Sequence, residues 1–194
     1  MSFVYLRWIG AKEVEPGLME WLGTRLTRTF GAPVRALDRA PPPPDAFDPA
    51  RGQFSSTRLL RWTLAHHPGD AWKVLSLTDG DLFIPVLTFV FGEAQVGGMA
   101  AVVSTARLRP EFYGLPPDPA RLRGRLEKEC IHELGHTVGL VHCRRPGCVM
   151  AASLTVLDVD AKGAALCAAC RVRFRELSVS PPLPPGRGEE GRGT

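Results

Sequence analysis

The sequence predicts a single α/β domain built on a mixed, twisted sheet of four or five strands. Two observations lead there. Short β-rich runs alternate along the chain with segments whose apolar residues recur at helical spacing, the pattern of a sheet covered by helices. With 194 residues, 44% of them hydrophobic and 23% charged, the chain is long enough to bury one real core.

The elements follow in order. "SFVYLRWI" is β-rich and reads as the opening strand. "PGLMEWLGTRLTRTFG" carries Leu18, Trp21, Leu22, Leu26 and Phe30 at helical spacing between a Pro and a Gly, which predicts an amphipathic helix. "PVRALD" predicts a short strand, and "RAPPPPDAFDPARGQ" (39–53) an irregular connection, since four consecutive prolines exclude a helix or central strand. "SSTRLLRWTLAHHPGD" predicts a second helix, capped by Ser55 or Ser56 and stopped at Pro68-Gly69. Three strands are then expected, "WKVLSLT", "LFIPVLTFVFG" and "MAAVVST", with "GGMAAVVST" read as a sheet edge. "DPARLRGRLEKECIHELGHTVGL" predicts a long helix. Residues 178–194 have almost no apolar content and are expected to be a disordered tail after a domain spanning 1–177.

Composition narrows the partners. No apolar run approaches the roughly 20 residues of a membrane span, and the N-terminus lacks the pattern of a signal peptide, so the cytoplasm is the expected compartment. A net charge of +4 with scattered arginines predicts a solvated basic surface rather than a nucleic-acid groove. The chain is taken as a monomer by default. Five cysteines in a reducing compartment argue against a disulfide framework.

The chemistry concentrates in "HELGHTVGLVHC" (132–143), which holds three of the chain's five histidines. On a helix, Leu122, Leu126, Cys130, Leu134 and Val138 sweep one side, while His132 and His136 fall opposite, only about 40° apart. Imidazoles at i and i+4 can reach one Zn²⁺. Gly139 can end the helix in a left-handed turn, returning His142 as the third ligand. Three protein ligands leave a fourth position open, the pattern of a catalytic zinc, and Glu133 beside the pair suits a general base. Cys143, Cys148, Cys167 and Cys170 form CxxxxC and CxxC pairs, four thiolates for a second, tetrahedral zinc.

This long motif resembles that of the metzincins, in which a Met-turn follows the third histidine; Met150 stands where that methionine is expected. The combined pattern HExxHxxGxxHCx₄CxM…CxxC resembles the archaemetzincin (archaelysin) family. "AFDPARGQFSSTRLL", "LSLTDGDLFIPVLTFVFGEA" and "DVDAKGAALCAAC" extend the likeness over about residues 2–175. The spacer before CxxC is one residue shorter than the family's, which affects a loop and no ligand. The resemblance implies a compact metzincin catalytic domain with an active-site helix, a Met-turn, a catalytic zinc on residues matching His132, His136 and His142, and a structural zinc on the four cysteines. It also implies hydrolysis of peptide bonds, with aminopeptidase and endopeptidase action both open. The alternative is a non-catalytic zinc module that binds peptides or a partner; the presence of Glu133 weighs against it. His66 and His67 read as surface residues at a helix end, Cys130 as core, and Asp79 and Asp81 as turn residues.

Overall fold

The computed structural model describes residues 2–10 and 14–179; residues 180–194, most of the expected tail, lie outside the described residues. A five-stranded mixed sheet runs in the order β2 (Val34–Ala36), β1 (Phe3–Trp8), β5 (Ala71–Thr78), β9 (Ala100–Ser104), β8 (Gly92–Ala94). All neighbours are parallel except β8 and β9. The parallel pairs need crossovers, and helices α1 (Leu18–Phe30) and α2 (Ser56–Ala65) supply two of them.

Alternation along β9 shows how the layers are assembled. Ala101 and Val103 join the core formed with α1 and α3 (Pro119–Val138), whereas Ala100 and Val102 join the one under α2. A strand buried on both faces reads as a continuous apolar run. That corrects the reading of "GGMAAVVST" as an edge: β9 lies between β5 and β8, and the free edge on this side is β8.

A second, four-stranded sheet was not anticipated. It has the order β3 (Phe47–Asp48), β4 (Gln53–Ser55), β6 (Leu82–Ile84), β7 (Leu87–Val90). Two sequence expectations change with it. "LFIPVLTFVFG" is not one strand, because Pro85 has no N–H to continue a ladder; β6 turns back there onto β7, and the chain enters β8 afterwards. The connection 39–53 contains β3 and the first residue of β4. Asp81 is a structural residue here, paired with Arg107 at 2.7 Å and accepting from Gln53 at 2.8 Å.

Helix α3 starts and stops as its sequence dictates. Asp118 accepts from Arg121 N–H at the N-cap, Pro119 occupies the first turn, and Gly139 ends the helix at φ 105°. Two helices had no counterpart in the sequence reading: α4 (Val156–Ala161) and α5 (Ala168–Val179), which continues two residues beyond the expected domain boundary. Helix α4 carries a capping box between Thr155 and Asp158, a short local signal easily missed in so brief a helix. No helix among the described residues is long and apolar enough to cross a membrane.

Candidate metal centres

Helix α3 delivers His132 and His136 on one face, and the turn at Gly139 brings back His142. One ring nitrogen from each lies within 4.8 Å of the others, with His132 Nε2 and His136 Nε2 3.0 Å apart. Nitrogens sharing a tetrahedral zinc would stand roughly 3.3 Å apart, so the donor set fits the ion. The ring orientations are fixed from behind. His132 Nδ1 meets Val149 O at 2.9 Å and His136 Nδ1 meets Leu140 O at 2.8 Å, which leaves both Nε2 atoms free to ligate. Burial, with neighbouring cations, pushes His132 down to about 3, so its lone pair is available at neutral pH.

The methionine takes its place through a glycine. A β-carbon on Gly135, between the two helical histidines, would stand 2.5 Å from Met150 Sδ. Met150 is fully buried there. In "HELGH" the glycine is thus a packing requirement, not a conformational one.

The four cysteines converge as the spacing predicts. Cys143 Sγ and Cys167 Sγ are 3.9 Å apart, and Cys148 Sγ and Cys170 Sγ 3.7 Å, against roughly 3.8 Å for thiolates on a common tetrahedral zinc. These gaps are far too long for disulfides. Backbone N–H groups of Arg145 and Cys167 point at Cys143 Sγ and Cys148 Sγ. A hydrogen bond from the Cys170 backbone, at the start of α5, brings the Cys167 thiol down to about 7, favouring the thiolate that a metal needs. Two bonds link the cysteine segment to the histidine site: Cys143 N–H donates to Met150 O at 2.8 Å, and the carbonyl of Val149, beside Cys148, meets His132 Nδ1.

Glu133 is buried and lines a cleft of about 300 Å³ with His132, His142, the strip Leu87–Gly92 and the segment Ala152–Leu154. Burial, reinforced by the nearby Glu129 carboxylate, raises its carboxyl well above the usual range. The other histidines and cysteine weighed from the sequence stay apart. His66 is exposed and stacks on Trp62 at 4.2 Å, and Cys130 is fully buried in the core.

Three residues near the site escaped the sequence reading. Gly92 faces Glu133, and Glu129 and Lys162 form an ion pair of 2.8 Å whose side chains are 3% and 1% exposed. Glu129 sits one helical turn before Glu133 and so shares its face, a signal present in "EKECIHE". Lys162 could not be assigned without the fold, since its partner is 33 residues away in sequence. Besides this pair, Lys162 donates to Ala151 O at 3.3 Å. Arg125 adds a bidentate pair with Asp160 at 2.6 and 2.7 Å. Together these bonds fasten the cleft wall after Met150 to α3. Lys162→Met should lower unfolding stability by about 3–5 kcal/mol, because it strands a buried carboxylate; urea denaturation measures this, and a loss below about 1 kcal/mol would mean the pair is dispensable.

An HExxH helix whose third histidine follows a glycine turn, a buried methionine against the glycine between the first two histidines, and a strip of edge strand along the cleft define a zinc-dependent metallopeptidase of metzincin type. The model of Peptidase family M54 matches residues 70–176. The chain belongs to that family, the archaemetzincins. It is similar to the archaemetzincin of Methanocaldococcus jannaschii, at 38% identity over 167 residues, 86% of this chain and 90% of that one. Among solved structures it matches archaemetzincin from Methanopyrus kandleri with a TM-score of 0.78 at 35% identity, covering 91% of this chain and 96% of that one. A zinc-dependent peptidase from Methanocorpusculum labreanum matches with a TM-score of 0.77 at 33% identity, covering 88% and 99%.

Proposed function

We propose that the chain hydrolyses peptide bonds at the His132–His136–His142 centre, with Glu133 as the general base, and that Cys143, Cys148, Cys167 and Cys170 hold a second zinc that is purely structural. The observation that carries this reading is the pairing of an open three-histidine donor set with a buried carboxylate one residue away on the same helix. A zinc ion on the three histidines would supply Lewis acidity, acidifying water and polarising the scissile carbonyl. Glu133 takes the proton from the attacking water on a carboxylate oxygen and returns it to the nitrogen of the departing amine. The Nδ1 bonds to Val149 O and Leu140 O keep the histidine rings oriented throughout. Residues 87–92, passing from β7 into the free-edged β8, line the cleft, and an extended substrate can align there by strand addition.

The substrate is therefore a peptide or an unfolded segment of a protein, and the cytoplasm is the proposed compartment. Residues 1–177 contain both ligand sets and form the catalytic unit. Digestion of a peptide library by the zinc-loaded protein, read by mass spectrometry beside a Glu133→Gln control, tests the proposal. Cleavage confined to the wild type supports it; an undigested library in both samples favours the peptide-binding alternative.

A further inference from the structure

Among the described residues no protein group hydrogen-bonds the Glu133 side chain, which poses the question of what orients its carboxylate. The surroundings supply a steric answer. A β-carbon built on Gly92 would lie 2.7 Å from Glu133 Cγ and 2.9 Å from Glu133 Oε1, distances that real side chains do not adopt. On its other side it would lie 2.7 Å from Val102 O, in the adjacent strand β9. Gly92 does not have a positive φ, so backbone conformation does not require glycine at this position. Space does. The bare backbone of β8 is the surface against which the Glu133 side chain packs.

We infer that Gly92 is a positioning residue for the reaction: its missing side chain forms the slot that holds the Glu133 carboxylate in the cleft. The inference rests on the reading of Glu133 as the base. Strand β8 thereby has two tasks in one short stretch. It ends the sheet with a free edge, and its first residue lines the cleft beside the base. A glycine inside a β-rich run often marks such a close approach, and "TFVFGEA" carries that mark.

The test combines kinetics with a stability cycle. Gly92→Ala should reduce kcat on the order of 10²-fold, the scale of a displacement of about 1 Å at a reacting group. Zinc content should stay close to wild type, because the histidines are not altered, and the loss should fall on kcat rather than KM. Melting temperatures of Gly92→Ala are then compared in three backgrounds: wild type, Glu133→Gln and Glu133→Ala. Glutamine retains Cγ, so the drop in Tm should equal that in wild type; alanine removes Cγ, so the drop should shrink. If Gly92→Ala fails to fold with Glu133 present but folds with Glu133→Ala, the steric conflict is shown directly. Equal drops in all backgrounds, or failure to fold in all of them, would mean that only the Val102 carbonyl demands glycine. A near-normal kcat for Gly92→Ala would also overturn the inference. Activity in Glu133→Gln itself would instead remove Glu133 as the base, a distinct result.

Discussion

Cys167→Ser should unfold at a far lower temperature than His132→Ala and should be poorly soluble, whereas His132→Ala stays folded and loses activity. The asymmetry follows from what each site connects. The cysteines join residues 143–148 to residues 167–170, across a segment that includes Met150 and α4. A structural zinc contributes folding free energy on the order of 10 kcal/mol in small zinc peptides, comparable with the whole stability of about 5–15 kcal/mol of a typical domain. Damage there also reaches the three histidines. Cys143 adjoins His142 and bonds Met150 O, and Val149 O holds His132. His132→Ala, in contrast, opens one small cavity on a helix that keeps its caps and its apolar face. Scanning calorimetry of the two variants under the same zinc concentration decides the matter. Equal melting temperatures would remove the structural role of the cysteine cluster.

Glu133→Gln should bind the same zinc as wild type and melt within a few degrees of it, yet lose at least about 10²–10⁴-fold in kcat, the usual worth of general acid–base catalysis. The amide preserves the side-chain shape and its packing against Gly92, but it cannot accept a proton. Steady-state kinetics on a peptide cleaved by the wild type measure the loss. Wild-type turnover in the variant would show that another group is the base.

Three of the five α-helices and the strands β1, β2, β5 and β9 were legible because each has a local cause. The apolar period of α1, the Ser55 cap of α2 and the Asp118 and Gly139 ends of α3 are all written within a few residues of where they act. The metal donors were legible for the same reason: His132 and His136 lie one turn apart, and the cysteines come in close pairs. What stayed hidden depends on contacts between distant residues. The interior place of β9 is set by its pairing with β5 and β8 rather than by its own sequence. The small second sheet uses strands of two to four residues, too short for a period to emerge. Lys162 and Gly92 matter only because the fold brings them to Glu129 and Glu133, respectively.

If hydrolysis belongs to the histidine centre of a two-zinc protein, zinc occupancy and activity must separate by site. The most direct test is a zinc titration of metal-free protein refolded under reducing conditions, with bound zinc counted by elemental analysis and peptide cleavage assayed in the same samples. Saturation is expected at two zinc ions per chain for the wild type and one for a His132→Ala/His136→Ala variant, with cleavage only in the wild type. Saturation of the wild type at a single zinc, or cleavage by the variant with its cysteine site alone filled, would contradict the two-zinc assignment.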